Sequence, residues 1–138
     1  MIAYLDSSVV IRILLGQKHS WTGWARWDQA FSSALLHLQC RRVIDRLRVE
    51  SILDDAGVAH VGKEFRRVQR SIGQIPLTQV VLHRAALPMP TAVKMLDAIH
   101  LASALLLRER RHQDLVFVTH DAQQARAAQA FGFSCQPE

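Results

Sequence analysis

Three aspartates in this sequence occupy positions from which they could act together on a metal ion or a phosphate. Asp6 directly follows a short apolar run, Ile2–Leu5, and Asp121 closely follows a second one, Leu115–Val118. Asp97 lies near the start of a long segment rich in small and apolar residues. Clustered carboxylates are unfavourable unless a cation neutralises them, and Mg²⁺ or Mn²⁺ shares carboxylate ligands with substrate phosphates. If the fold gathers the three side chains, we expect a Mg²⁺ or Mn²⁺ centre.

Short strands and helices alternate along the chain and would position these aspartates. The patterns predict strands at 2–5, 29–32, 75–78, 115–118 and 133–136, and helices at 9–15, 21–27, 33–48, 56–72, 94–111 and 122–131. Ser7 or Ser8 would cap the first helix. This alternation predicts an α/β fold of three layers, α/β/α, with a parallel sheet of four to five strands. Such sheets bind ligands at the carboxyl ends of their strands, where Asp6 and Asp121 fall.

The composition is that of one folded domain spanning residues 1–138. Of the 138 residues, 49% are hydrophobic and 21% are charged, close to the average of globular proteins. Two cysteines, Cys40 and Cys135, indicate neither a disulfide framework nor a cysteine zinc site. No apolar stretch approaches the ~20 residues of a membrane span. A first strand at Met1 leaves no room for a signal peptide, so we expect a cytoplasmic protein.

The charge balance is basic. The formal net charge is +5 with a pI near 10.0, and 14 of the 17 basic residues are arginine. Arginine makes bidentate contacts to phosphate, which favours a polyanionic partner. The same arginines could equally form solvated helix faces, and composition leaves both interpretations open.

Three segments resemble the acidic motifs of PIN-domain proteins of the VapC toxin type: YLDSS at 4–8, LDAIHLA at 96–102 and VTHD at 118–121. Their order, their spacing and the chain length also fit. The resemblance implies a pocket in which Asp6, Asp97 and Asp121 hold one or two divalent ions and hydrolyse RNA phosphodiester bonds. It further implies a small antitoxin protein that occupies a hydrophobic groove and blocks the site, and a homodimer, which is common among VapC-like proteins.

The sequence departs from that family at one acidic position. The family usually has a glutamate a few residues into the helix after the second strand, and the alignment puts Gln39 there. The Gln39 amide oxygen can coordinate Mg²⁺ but adds no negative charge, so metal affinity should fall. Asp45 fits the helical repeat poorly and Glu50 lies near the helix end, so neither is an obvious substitute.

Several neighbours of the aspartates are candidate supporting residues. The hydroxyls of Thr119 and of Ser7 or Ser8 would hydrogen-bond the carboxylates, or they would only cap helices; both interpretations stay open. We expect Arg12, about one turn beyond Asp6, to face the substrate backbone. His100 shares a helical face with Asp97 and is expected to be a hydrogen-bonded partner and not a metal ligand.

Three tryptophans form a further pattern. Trp21, Trp24 and Trp27 recur at every third residue and would line one face of a short helix. Core packing is the simpler interpretation. In a VapC-like protein the first helices help to form the antitoxin groove, so the stripe is also a candidate partner or dimer surface.

Other enzyme classes lack their motifs here. No GxxxxGK[ST], GxGxxG or GxSxG pattern occurs. A haloacid-dehalogenase-like phosphatase would carry a second aspartate where this chain has Ser8, and the acidic pair and late lysine of a receiver domain are missing. We therefore expect a Mg²⁺- or Mn²⁺-dependent endoribonuclease. The alternative is a PIN-like module, impaired by Gln39, that binds RNA or a protein partner.

Overall fold

A computed structural model describes residues 1–17 and 23–137, with positions 24 and 25 described by their backbone. The strands are β1 (Ile2–Leu5), β2 (Gln29–Ser33), β3 (Gly73–Ile75), β4 (Leu115–Val118) and β5 (Ser134–Gln136). The helices are α1 (Ser7–Leu14), α2 (Leu35–Val49), α3 (Asp55–Ser71), α4 (Gln79–Ala85), α5 (Met95–Arg111) and α6 (Ala122–Ala130), and a 3-10 turn spans Gly23–Arg26.

The five strands form one parallel sheet in the order β3-β2-β1-β4-β5. β1 lies at the centre, with Tyr4 opposite Phe31 of β2 and Phe117 of β4. Every residue of β1 and β4 is buried, as continuous apolar runs require in a sheet covered on both faces. From β1 the chain adds β2 and β3 on one side of the sheet and then β4 and β5 on the other side. The crevice between β1 and β4, where this direction reverses, is therefore a topological switch point.

Helices cover both faces of the sheet. One core joins α5 and α6 to the sheet face of Tyr4 and Phe117, and the other joins α1, α2 and α3 to the face of Leu5 and Val118. α4 packs on α5. The predicted three-layer α/β/α fold is therefore confirmed, with five parallel strands.

The structure corrects the predicted first helix cap. The residue that caps α1 is Asp6, whose carboxylate accepts the Ser7 N–H at 2.8 Å, so neither Ser7 nor Ser8 is the cap. A carboxylate is a better acceptor at a positive helix end than a hydroxyl that must also orient its own proton. The serines are thereby left to bond the carboxylate itself.

Two further elements differ from expectation. The third strand ends at Ile75, because Pro76 has no N–H to continue the ladder, and it begins earlier, at Gly73. The short helix α4 was not predicted. It begins after Thr78, whose hydroxyl accepts the Val81 N–H at 3.3 Å, and its seven residues are too few to show a helical period.

The predicted tryptophan helix at 21–27 lies partly outside the described residues. Trp21 is among those not described, and only the backbone of Trp24 is described. The described portion is a 3-10 turn at Gly23–Arg26, and Trp27 packs at the margin of the core formed with α1, α2 and α3. None of the described helices has the length and apolar character needed to cross a membrane.

Candidate active site

Asp6 is the most enclosed of the three aspartates, with 3% of its surface exposed. It leaves the central strand at the switch point, and its carboxylate accepts the Ser8 hydroxyl at 2.8 Å in addition to the Ser7 N–H. The Ser7 hydroxyl lies farther away, at 3.5 Å. A buried carboxylate is tolerated only when donors surround it, so these contacts fix its position.

Thr119 connects Asp6 to the end of β4. Its hydroxyl donates to Asp6 Oδ2 at 2.8 Å and accepts the Asp121 N–H at 3.0 Å. The Ser8 hydroxyl in turn accepts the His120 N–H at 3.0 Å. The sequence left open whether Thr119 and Ser8 bond the carboxylates or only cap helices. Both hydroxyls bond the Asp6 carboxylate, and together they connect the ends of β1 and β4.

Gln124 is a contact of Asp6 that the sequence reasoning missed. Its side chain is completely buried in the first turn of α6. With its amide nitrogen turned toward Asp6, Gln124 donates to Oδ2 at 2.9 Å and to Oδ1 at 3.3 Å. The reverse orientation would place the amide oxygen against the carboxylate oxygens, which are also acceptors. A glutamine three residues after an N-capping aspartate was the available signal, since that position points back toward the cap.

Asp121 caps α6. Its Oδ1 accepts the N–H groups of Gln123 at 2.9 Å and Gln124 at 3.3 Å, so the helix N-terminus holds the carboxylate at the edge of the sheet. Gln124 thus contacts both aspartates, Asp121 through its backbone and Asp6 through its side chain.

Asp97 lies in the first turn of α5 and is half-buried. Burial and the charges of Asp6 and Asp121 raise the pKa of Asp97 to about 6, with Lys94 opposing the shift. Burial is the larger cause, and the two carboxylate charges add to it because Asp97 lies near both Asp6 and Asp121.

Gln39 also reaches the site, but its oxygen is already engaged. Gln39 Oε1 lies 2.8 Å from His100 Nε2, and the same ring nitrogen lies 3.7 Å from Asp6 Oδ1. His100 is completely buried, and its Nδ1 lies 2.8 Å from the Tyr4 hydroxyl. His100 is therefore a bonded partner, as its helical position suggested.

Burial lowers the pKa of His100, with the Asp6 charge opposing the shift. A neutral imidazole carries one proton. The Tyr4 hydroxyl can donate to Nδ1, which leaves the proton on Nε2 to donate to Gln39 Oε1. This arrangement pairs the Tyr4 hydroxyl, both ring nitrogens of His100 and the Gln39 oxygen.

Arg12 lies on the same side of the molecule. Burial and the nearby Arg12 charge lower the pKa of His120, whose Nε2 is buried without a hydrogen-bond partner among the described residues. A cavity of about 500 Å³ opens here, lined in part by His120, Asp121 and Arg126.

By contrast, Asp45 is an exposed partner of Arg42 and Arg48 and takes no part in the site.

The donor set suits a hard divalent cation. Asp6, Asp97 and Asp121 carry the carboxylate oxygens that such a cation prefers, and the charges of Asp6 and Asp121 contribute, after burial, to the raised pKa of Asp97. The side chains are not drawn tightly together: within residues 1–17 and 23–137, no three His, Cys, Asp or Glu side chains form a closed metal-binding group.

The chain is similar to proteins of known family and fold. A family model described as the PIN domain matches residues 3–130. One solved structure with a similar chain is a toxin-antitoxin complex from Klebsiella pneumoniae, with 21% identity, a TM-score of 0.64, and coverage of 89% of this chain and 89% of that chain. At that identity the likeness concerns the fold alone. No curated protein sequence matches the chain. The family match covers almost the whole chain and includes all three aspartates, so this protein belongs to the PIN domain family.

Proposed function

We propose that this protein is a divalent-metal-dependent endoribonuclease that acts as a VapC-like toxin in the cytoplasm. The observation that carries the proposal is that Asp6 and Asp121 follow the adjacent strands β1 and β4 and are both hydrogen-bonded by Thr119. Asp97 lies near enough for their charges to add to the effect of burial in raising its pKa to about 6. PIN-domain membership supports a nuclease. The net charge of +5 and the nearby Arg12 support a polyanionic substrate.

The chain's own residues position the reaction. Asp6, Asp97 and Asp121 would hold Mg²⁺ or Mn²⁺, which would activate water and neutralise charge that develops on the phosphate. Water adds to phosphorus, the bond to the leaving oxygen breaks, and that oxygen takes up a proton. Thr119, Ser7 and Ser8 keep the Asp6 carboxylate in place, and Arg12 faces the RNA backbone.

The test is cleavage of structured RNA by the purified protein with Mg²⁺ or Mn²⁺. We expect cleavage by the parent, none by Asp6→Asn, and none in EDTA. Gln39→Glu should raise metal affinity, because it adds a fourth negative charge. Lack of cleavage by both the parent and Gln39→Glu would contradict the nuclease proposal.

A second candidate function is an impaired PIN module that binds RNA or a protein partner. It is favoured by one observation: the position that is usually acidic in the family holds neutral Gln39, whose oxygen contacts His100 at 2.8 Å. Cleavage by Gln39→Glu but not by the parent would support this function. Growth arrest on expression that disappears with Asp97→Asn would instead support a toxin.

The proposal includes an antitoxin and a homodimer. The similar chain from a toxin-antitoxin complex supports the first. For the second, six large apolar side chains between residues 77 and 96 are exposed, the most exposed being Met95 at 76%. These are Leu77, Val80, Leu82, Leu87, Met95 and Leu96. Light scattering of the parent and of Val80→Glu tests the dimer; a monomeric parent would contradict it.

A further inference from the structure

Tyr4, His100 and Gln39 are joined by a chain of two hydrogen bonds beside the proposed metal site. None of the three side chains is one of the carboxylates proposed to hold the metal. The Tyr4 hydroxyl and His100 Nδ1 are 2.8 Å apart, and His100 Nε2 and Gln39 Oε1 are 2.8 Å apart. Tyr4 and His100 are both fully buried, so the ring is held from two sides and cannot turn without leaving polar atoms unpaired.

The proton on this ring decides which end of the Gln39 amide is bound. If Nε2 carries the proton, it donates to Gln39 Oε1, and the Gln39 nitrogen is left over. If Nδ1 carries it, Nε2 accepts from the amide nitrogen and the oxygen is left over. Asp6 Oδ1 lies 3.7 Å from the same Nε2. A carboxylate next to that nitrogen favours the form with a proton on Nε2.

With the oxygen bound to His100, Gln39 retains two N–H donors. Within the described part of the chain, the Gln39 nitrogen makes no hydrogen bond, and the side chain is only half-buried. Gln39 Oε1 and Asp6 Oδ1 lie 2.8 Å and 3.7 Å from the same His100 ring nitrogen, which places Gln39 at the rim of the acidic pocket. Donors beside carboxylates suit an oxyanion, since they attract the phosphate that the carboxylates would otherwise repel.

We propose that Gln39 binds a phosphate oxygen of the substrate through its amide nitrogen and is not a metal ligand, and that Tyr4 and His100 are positioning residues that hold it in this orientation. The substrate class rests on the proposed ribonuclease function; the orientation of the amide does not. Gln39 would then adapt the site to RNA at the position where the family usually has an acid.

The orientation is tested first by ¹⁵N NMR of histidine-labelled protein near pH 7. We expect His100 to be neutral with its proton on Nε2, and the signal of this proton to exchange faster in Gln39→Ala. Gln129→Ala, an exposed change on α6, should leave it unaltered. A proton on Nδ1 would overturn the proposal, because Gln39 would then present its oxygen to the pocket.

Two binding measurements complete the test. Titration with Mn²⁺ alone should give Gln39→Ala an affinity within about twofold of the parent, whereas a loss of about tenfold or more would identify Gln39 as a ligand and refute the proposal. Affinity for a labelled RNA oligonucleotide in EDTA should fall about tenfold in Gln39→Ala, as loss of a hydrogen bond to a charged group implies. Unchanged RNA affinity would also refute it.

The positioning role has its own readout. Tyr4→Phe should lower RNA affinity two- to threefold, and the double variant Tyr4→Phe/Gln39→Ala should be no weaker than Gln39→Ala, because Tyr4 acts through Gln39. Additive losses would contradict this role. If neither the parent nor Gln39→Glu binds Mn²⁺, the metal-dependent nuclease proposal fails, while the histidine proton and the RNA affinity still decide the role of Gln39.

Discussion

The Thr119 hydroxyl donates to Asp6 Oδ2 at 2.8 Å and accepts the Asp121 N–H at 3.0 Å, so one side chain connects two aspartates that follow neighbouring strands. Thr119 is 3% exposed, and water cannot readily replace these bonds. Thr119 is therefore a side-chain link between the ends of β1 and β4, beside the backbone hydrogen bond from the Asp6 N–H to the Val118 carbonyl.

Thr119→Val should weaken both activity and folding. Valine has nearly the shape of threonine but lacks the hydroxyl, so the Asp121 N–H loses its acceptor and Asp6 Oδ2 loses one of its donors. This loss should lower the free energy of unfolding by about 1–3 kcal/mol. Metal affinity or RNA cleavage should fall about 10- to 100-fold, as for other residues that orient metal ligands. Urea unfolding, Mn²⁺ titration and the cleavage assay measure these effects. Thr119→Ser retains the hydroxyl and should stay close to the parent; equal losses in both variants would contradict the assigned role.

Asp97 should make the stability of the metal-free protein fall as the pH rises from about 4 to about 6. Its folded-state pKa is raised to about 6 from 3.8, so in this range the folded protein binds the proton more tightly than the unfolded chain. The contribution is complete below the lower value and is lost as pH passes the upper one. Thermal melting from pH 4 to 8 should show this slope in the parent and not in Asp97→Asn.

The comparison with Asp97→Asn is needed because His100 has the opposite effect. Its folded-state pKa is lowered, so its contribution to stability increases as the pH rises toward its unfolded value of 6.5. The parent and Asp97→Asn share the His100 contribution, so the difference between their melting temperatures reports the contribution of Asp97. Mn²⁺ affinity of the parent should rise up to about pH 6 and then level off, since the cation binds ionised Asp97. A pH-independent difference in melting temperature would show that the pKa of Asp97 is not raised in the folded protein.

Gln124→Leu should destabilise the fold by about 1–3 kcal/mol, because the buried Asp6 carboxylate loses an amide donor. Gln129→Leu is the matched control, being an exposed glutamine on the same helix, and its effect should be within about 0.5 kcal/mol of zero. Urea unfolding compares the two. Equal stability of both variants would mean that Gln124 does not support Asp6.

Gly73→Ala should disturb the edge strand β3. A Cβ at this position would lie 2.5 Å from Phe31 Cδ1, well inside van der Waals contact, and relief requires Phe31 to move. Overpacking of this kind costs about 1–3 kcal/mol. The double variant Gly73→Ala/Phe31→Leu should recover part of the loss in urea unfolding, and no recovery would place the strain elsewhere.

Local sequence was sufficient for most of the elements. Apolar runs before Asp6 and Asp121 marked β1 and β4 correctly, and the long helix was placed within one residue, because these signals depend on neighbours along the chain. The helix α4 was missed for the same reason: seven residues between prolines hold too little periodicity to detect. Ser7 and Ser8 were misassigned as caps because residue preference does not tell which of three adjacent acceptors meets the helix end.

The sequence by itself determined the fold class and predicted that Asp6 and Asp121 share one edge of the sheet, because parallel strands present the residues that follow them at one edge. Only the tertiary structure decided what surrounds Asp6 and Gln39. Gln39 and His100 are 61 positions apart, and the Gln124 amide reaches Asp6 from a different helix. Such contacts depend on how helices pack across the sheet, and no local pattern encodes that geometry. The hydrogen-bond partner of Gln39, which decides whether its oxygen or its nitrogen faces the pocket, was therefore readable only from the folded protein.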